Sequence, residues 1–260
     1  MPNIEAVRIA QRARSHLQLG EASLPDAYYY ASPTFCVIDA VFSIGVRYEG
    51  VVAVVKRYCD AFSLTRIRTA RSEYPARDVQ EPMTSLITRI ANVGVETFAT
   101  SILRNRQRTS ARGGILKAEA VATFASTLAA HGIEYFQDIP AFDEHSQIHR
   151  DLRRIRGQAS GISIGYFWML AGSDHLVKPD RMILGYLCQT LDRPVQLHEA
   201  RFLIPAAVEI LRDEYPHLSP RLLDYKIWEY QRKQGRSHAL DGPANSSVQG
   251  AAALLSRGEN

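Results

Sequence analysis

Apolar residues recur at steps of three and four along most of the chain, and few stretches alternate as a β-strand would. The run Leu116, Val121, Phe124, Ala125 and Leu128 illustrates this spacing, and Gly132 follows it as a plausible C-cap. The pattern predicts an all-α protein.

Two stretches, 35–46 and 162–171, are apolar almost all round, which predicts two helices in the interior of a bundle. The β-prone run at 51–55 continues into charged residues without a turn signal, so we interpret it as helix. Ser219 followed by Pro220 supplies an N-cap and a first-turn proline for a late helix.

Domain boundaries are faint in this chain of 260 residues, a length that suits one large domain or two small interleaved ones. The segment 72–82 carries two prolines and mixed charge, which predicts a loop. From about Gly235 the sequence loses its periodicity and becomes small and polar. We therefore expect one domain over 1–235 and a flexible tail over 236–260.

Composition excludes several classes of protein. Hydrophobic residues make up 46% and charged residues 22%, as in ordinary globular proteins. No apolar run approaches ~18 residues and no secretory signal opens the chain, so we expect a cytoplasmic protein without a membrane partner. The three cysteines are widely spaced, and His145 and His149 lack a third ligand at metal spacing. We expect no metal and no cofactor.

The charge distribution favours a polyanionic partner. The formal net charge is +4 and the isoelectric point is about 9.0. Solvated helix faces would explain any one arginine cluster, whereas three clusters together favour phosphate binding. The clusters are Arg66, Arg68 and Arg71; Arg104, Arg106, Arg108 and Arg112; and Arg150, Arg153, Arg154 and Arg156.

The most informative segment runs from 154 to 187. A glycine-bearing turn, Gly157 to Gly161, separates a basic approach from an apolar helix, and the first N–H groups of such a helix form an anion site. Asp180 precedes the next helix, which begins at Arg181. From local chemistry alone, Asp180 is more often an N-cap, and Lys178 and Arg181 are ordinary exposed charges.

This order of basic helix, hairpin, apolar helix, loop and aspartate resembles the helix-hairpin-helix segment of the endonuclease III superfamily of DNA glycosylases (HhH-GPD). The hairpin of that family reads roughly L-P-G-V-G-x-K, and its catalytic aspartate follows the first glycine by a little over twenty residues. Here residues 155–161 read I-R-G-Q-A-S-G, and Asp180 stands 23 positions after Gly157.

The resemblance extends upstream. Residues 32–35, leading into the apolar stretch, are similar to the start of the family's helix that ends at the intercalation loop, and 115–121 are similar to its lysine-alanine helix. The resemblance implies a two-lobed helical bundle with a cleft between the lobes. The hairpin and the catalytic segment would occupy 150–187, and the final helices would close the N-terminal half into the second lobe.

The chain also departs from that family. Ala159 replaces the second hairpin glycine, Gly161 stands where bifunctional members carry their Schiff-base lysine, and the iron-sulfur cysteines of some members are missing. The resemblance therefore implies a monofunctional, metal-free DNA N-glycosylase that leaves an abasic site. Its partner would be double-stranded DNA containing a damaged or modified base, and no obligate protein partner is inferred.

The resemblance also assigns roles. Asp180 would be the catalytic carboxylate that stabilises an oxocarbenium-like sugar and orients or deprotonates water. Phosphates would bind Gly157, Gln158, Ala159, Ser160 and Gly161, with Lys178 and Arg181 nearby. The base would flip into a pocket whose candidate residues are Asp39, Ser43, Tyr48, Asn105 and Ser110.

Alternatives remain open for the roles of single residues, for the target base and for the function. Asp39 lies in an apolar helix, where it would equally cap a helix or pair with a core arginine, and the tyrosines at 28–30 are either a stacking surface or packing. The target is an alkylated, mismatched or hypermodified phage-type base. The alternative functions are a non-catalytic helix-hairpin-helix module that recognises lesions or DNA structure, and a helical protein unrelated to DNA.

Overall fold

The computed structural model describes residues 3–46 and 48–240, and within these ranges it contains eleven α-helices and no β-strand, which confirms the all-α prediction. The helices are α1 (Ile4–His16), α2 (Pro33–Phe42), α3 (Tyr48–Ala61), α4 (Met83–Val93), α5 (Val95–Thr97), α6 (Lys117–Ala130), α7 (Gln147–Arg153), α8 (Ile162–Leu170), α9 (Arg181–Leu191), α10 (Leu197–Leu211) and α11 (Pro220–Leu240). Among them, no helix is both long and apolar enough to cross a bilayer.

Helices α2 and α8 lie in the interior and pack against each other. Every residue of α2 is buried, and in α8 all residues except Ile162 are buried. A helix that is apolar on all sides loses exposed apolar surface only when it is surrounded by other helices. The prediction of two central helices is therefore confirmed.

Two predicted helix ends and one predicted helical stretch are also confirmed. The Ser219 hydroxyl accepts a hydrogen bond from the Leu222 N–H at 3.1 Å, as an N-cap does. Helix α6 is followed by Gly132 in the left-handed conformation (φ +76°). The β-prone run 51–55 lies inside α3.

The C-terminal boundary differs from the prediction of a tail from residue 236. Helix α11 continues to Leu240, because one interior glycine, Gly235, costs a helix only about 1 kcal/mol and does not by itself end it. Residues 241–260, the rest of the expected tail, lie outside the described residues.

Buried apolar side chains of the described chain form two clusters. The first is built on α2, α3, α4, α6 and α8, and the second on α1, α9, α10 and α11 with the segment 17–24. Helix α1 packs on α9 and α10, so the beginning and the end of the domain share the second cluster. Tyr28 packs against both clusters.

The turn between α7 and α8 packs closely against the loop that precedes α6. The Arg156 side chain donates a hydrogen bond to the Gly113 carbonyl at 3.2 Å. Gly157 has φ +89°, and a Cβ atom added there would lie 2.3 Å from the Thr109 Cβ. Only glycine fits this position, because it needs both a left-handed backbone and the absence of a side chain.

We expect Gly157→Ala to lower the free energy of unfolding by about 3 kcal/mol, because it adds a steric clash to backbone strain. Gly113→Ala is the matched control: its φ is also positive (+66°), but an added Cβ meets no atom within 4 Å, so strain alone should cost about 1 kcal/mol. Urea titration of both variants measures the difference. Equal destabilisation would contradict the close approach at Gly157.

Candidate functional site

A cavity of about 70 Å³ lies where the two apolar clusters meet, and it has room for water molecules. It combines aromatic walls with charged groups. Helices α3, α8 and α11, the α2–α3 connection and the segment before α9 contribute its lining. The lining residues are Leu24, Tyr28, Ser43, Val46, Tyr48, Val51, Tyr166, Met169, Leu170, Lys178, Asp180, Arg221, Asp224, Tyr225 and Trp228.

Tyrosine and tryptophan rings form one wall. The rings of Tyr28 and Tyr48 stack with centroids 5.7 Å apart and planes 6° from parallel. Trp228 of α11 meets the Tyr48 ring edge-on at 5.4 Å, and Tyr225 meets the Tyr28 ring edge-on at 5.3 Å. These contacts join α3 to α11 across the cavity and present aromatic surface to any planar ligand.

Asp180 caps helix α9 and lines the cavity at the same time. Its Oδ1 accepts hydrogen bonds from the backbone N–H groups of Met182 at 2.8 Å and Ile183 at 3.3 Å. These bonds hold the carboxyl group in one orientation at the helix N-terminus. The structural role that local chemistry predicts for Asp180 is thus confirmed, and the side chain is also placed beside the aromatic wall.

Lys178 lies in the cavity, whereas the sequence predicts it beside DNA phosphates. Its ammonium sits 3.6 Å from the centroid of the Tyr166 ring and donates a hydrogen bond to the Ser43 hydroxyl at 3.0 Å. Burial lowers the pKa of Lys178, while the charges of Asp180, Asp39 and Asp224 act in the opposite direction. The Lys178 ammonium therefore lies near three carboxyl groups.

Asp224 of α11 is the second carboxyl group in the cavity. It is 8% exposed, and its Oδ2 accepts a hydrogen bond from the Lys178 backbone N–H at 2.8 Å. Burial, followed by the charge of Asp180, raises the pKa of Asp224 well above its usual range. Asp180 and Asp224 are close enough for the charge of one to disfavour the charge of the other.

Asp39 lies behind the cavity rather than in its lining. It is fully buried and accepts a hydrogen bond from the Tyr30 hydroxyl at 2.7 Å, so it neither caps a helix nor pairs with an arginine. Its Oδ1 has no hydrogen-bond partner among the described residues. Burial raises the pKa of Asp39 to about 6, although Lys178 and the Tyr30 hydroxyl lower it.

The other pocket candidates divide between the cavity and its surroundings. Ser43 and Tyr48 line the cavity. Asn105 and Ser110 line two neighbouring depressions that share Val46 with it. Lys117 lines the depression that contains Ser110 and donates hydrogen bonds to the Phe42 and Ile44 carbonyls at 3.0 and 2.7 Å.

The predicted phosphate-binding turn is split between exposed and buried residues. Ala159 and Ser160 are exposed. The side chain of Gln158 points inward, because it is 1% exposed and accepts a hydrogen bond from the Ser163 hydroxyl. Gly161 adopts φ +71° as the residue before α8. Arg181, the remaining predicted DNA contact, is exposed at the start of α9.

A histidine adds to the start of α8. His149 is 4% exposed, and its Nδ1–H donates to the Glu144 carbonyl at 2.6 Å. Its Nε2 has no partner in the described chain and would lie 3.5 Å from a Cβ at Gly161, with an Arg201 nitrogen 3.8 Å from the same point. With Nδ1 as the donor, a neutral imidazole presents its Nε2 as an acceptor. The groups that favour an anion here are therefore the helix N-terminus and the Arg201 guanidinium, which also lies 3.6 Å from a Glu144 carboxylate oxygen.

The three arginine clusters have different roles. In the first, Arg68 lies over the rings of Tyr29 and Tyr74, and Arg71 pairs with Asp26, which are packing contacts. The second and third clusters meet where Arg156 contacts the loop before α6. Arg112, next to Gly113, and Arg156 are both exposed, so these two cations lie near each other beside the turn at 157–161.

Sequence reasoning missed Asp224 and the aromatic residues beside it. Arg221, Asp224, Tyr225 and Trp228 follow one another at helical spacing, so they share a face of α11. The sequence signal for this site was a carboxyl group, Asp224, on a helical stripe of apolar and aromatic residues. That signal does not reveal which residues lie near Asp224, because Lys178 and Asp180 come from a distant segment. Within the described ranges, no three His, Cys, Asp or Glu side chains form a metal site.

Comparison with known families covers this whole arrangement. A family model described as "Domain of unknown function (DUF8548)" matches residues 7–232, which include the cavity, the turn before α8 and Asp180. No curated protein and no solved structure matches the chain.

The raised pKa of Asp39 predicts a pH-dependent stability. The folded state favours the protonated form of the Asp39 carboxyl group. The contribution of Asp39 to the free energy of unfolding is therefore complete below its usual pKa of 3.8 and is lost as the pH rises through about 6. From about pH 4 to about pH 7, the parent should lose about 2 kcal/mol of unfolding free energy relative to Asp39→Asn. Urea titrations at both pH values measure this, with exposed Asp192→Asn as control. Parallel pH profiles for the parent and Asp39→Asn would contradict it.

Proposed function

The chain belongs to the DUF8548 family, and we propose that it is a DNA N-glycosylase that excises a damaged or modified base, with Asp180 as its catalytic carboxylate. The observation that carries the proposal is the position of Asp180, a helix-capping carboxylate in an aromatic cavity. Cleavage of the C1′–N bond leaves positive charge on the sugar, and a fixed carboxylate stabilises that charge.

The aromatic wall supports binding of a base that has left the duplex. A flipped base loses its stacking partners, and the rings of Tyr48 and Trp228 offer it new ones. Aromatic faces beside carboxyl groups also favour a cationic ligand. An alkylated purine with a fixed positive charge meets this requirement, and so does a neutral or hypermodified base that becomes protonated as it leaves.

The surface beside the cavity supports binding of duplex DNA. The N-terminus of α8, with Arg201, would hold a phosphate, and the exposed Arg112 and Arg156 would hold others. In this proposal, the turn at 154–161 acts as the hairpin of a helix-hairpin-helix motif. The two apolar clusters would correspond to two lobes, with the base entering between them.

The proposed reaction ends at the abasic site. Gly161 provides no amine for the Schiff base that bifunctional glycosylases form, so water is the proposed nucleophile. Lys178 supports the site as a counter-charge: its ammonium lies among Asp39, Asp180 and Asp224 while it contacts Ser43 and the Tyr166 ring.

A second candidate function is a DNA-binding module without catalysis. The observation that favours it is the capping role of Asp180, whose Oδ1 is fully used by two backbone N–H groups. A helix cap accounts for an aspartate at this position without any reaction. The two functions differ in whether Asp180 is needed for turnover.

We expect Asp180→Asn to reduce base release at least about 1,000-fold while duplex affinity changes less than about threefold. Asparagine is also a good N-cap, so α9 should remain intact. The measurement is mass spectrometry of free bases released from alkylated, deaminated, oxidised, mismatched and phage-hypermodified DNA. Asp192→Asn, the same change at the opposite end of α9, should keep the parental rate.

Two results would decide against this proposal. If the parent releases no base from any of these DNAs but still binds them, the binding module replaces the glycosylase. If the parent and Asp180→Asn release the same base at similar rates, the protein is a glycosylase that does not use Asp180. If the parent neither binds DNA nor releases a base, DNA is not its substrate.

DNA binding at the predicted surface has its own test. The double variant Arg112→Gln, Arg156→Gln should lower the slope of log affinity against log salt by about 2, because each arginine neutralises one phosphate. The control double variant Arg14→Gln, Arg212→Gln removes two cations that pair with Glu214 and Glu209. Fluorescence anisotropy over a salt series measures both. Equal slopes for the two double variants would exclude this surface.

A further inference from the structure

Asp224 has no role in the reaction as described so far, although its carboxyl group lines the same cavity as Asp180. One of its oxygens anchors the segment before α9 to α11 through the Lys178 N–H. A neutral amide would serve that tether equally well, so tethering does not explain a carboxyl group that is 8% exposed beside a second carboxyl group.

The two carboxyl groups have different surroundings. Asp180 accepts hydrogen bonds from two backbone N–H groups at a helix N-terminus. Asp224 accepts a hydrogen bond from one backbone N–H, and burial together with the charge of Asp180 raises the pKa of Asp224. Two carboxyl groups in unlike environments are the arrangement in which one acts as an acid and the other as an anion.

Two cations, Lys178 and Arg221, lie close enough to Asp224 to favour its ionised form. The Lys178 ammonium also contacts Ser43 and the Tyr166 ring. The Arg221 guanidinium donates to Asp174 at 3.1 Å and to the Tyr28 carbonyl at 3.4 Å. Burial and the charge of Asp180 outweigh both cations, so the net shift of the pKa favours the protonated form of Asp224.

We propose that Asp224 is a catalytic residue that donates a proton to the departing base while Asp180 stabilises the sugar cation. This inference rests on the proposed glycosylase function. It also bears on the target: a proton donor is needed for a neutral base, which leaves poorly as an anion, and is not needed for a base with a fixed positive charge.

The proposed step is balanced as a hydrolysis. The C1′–N bond breaks and its electron pair stays on the base, which takes the proton of Asp224 and leaves as a neutral molecule. The sugar remains as an oxocarbenium cation beside the Asp180 carboxylate. Water then forms a bond to C1′, and the proton that it loses returns to Asp224 by way of Asp180.

The first test compares two leaving groups. For a neutral substrate base identified in the release assay, Asp224→Asn should lower the single-turnover rate 100- to 10,000-fold, the usual range for a lost general acid. For N7-methylguanine, which already carries a positive charge, the same variant should keep the parental rate within about threefold. Asp180→Asn should be slow on both. Glu229→Gln, on the same helix, should be unaffected on both.

The second test needs no DNA. In the difference infrared spectrum of the parent minus Asp224→Asn, the carbonyl band of a protonated carboxylic acid should be present at neutral pH. An ionised Asp224 would overturn the inference whatever the protein does to DNA. A protonated Asp224 in a protein that releases no base would instead overturn the proposed function and, with it, the role of the proton.

If the protein is a glycosylase, two results for Asp224→Asn would also overturn the inference. In the first, the variant releases the neutral base at the parental rate. In the second, the variant releases the neutral base and N7-methylguanine equally slowly, so that a fixed positive charge on the base does not restore the rate and Asp224 is a positioning residue.

Discussion

The arrangement depends on one electrostatic constraint, a single lysine ammonium placed among three carboxyl groups where two apolar clusters meet. Lys178 is partly buried beside Asp39, Asp180 and Asp224, and burial penalises each ionised group. Burial raises the pKa of Asp39 and of Asp224, and Asp180 receives hydrogen bonds from two backbone N–H groups. A structural bundle would place apolar side chains there at lower cost, so the charges indicate a function.

The fold provides this site by bringing distant segments together. Asp39 lies on α2, Lys178 and Asp180 lie just before α9, and Asp224 lies on α11. The beginning of the chain packs against α9 and α10 within the second apolar cluster. The tether from Asp224 to the Lys178 N–H then joins the last helix to the segment before α9.

Much of the fold could be predicted from the sequence, because the features concerned are local. The apolar stretches of α2 and α8, the Ser219 cap and the helical character of 51–55 all follow from spacing and turn residues. The site was only partly predictable. Asp180 was identified, but the inward direction of Lys178 and the presence of Asp224 depend on how α11 packs, and periodicity does not contain that information. The Tyr30 hydroxyl, as partner of Asp39, likewise comes from a non-helical segment.

The proposed reaction requires the cavity to stabilise a sugar cation through Asp180. This is measured by comparing the affinity of the protein for two duplexes, one with a cationic pyrrolidine nucleotide that mimics the charged sugar and one with its neutral tetrahydrofuran analogue. We expect the cationic duplex to bind at least about 100-fold more tightly, and Asp180→Asn to abolish this preference. Equal affinity of the parent for the two duplexes would show that Asp180 does not stabilise a sugar cation.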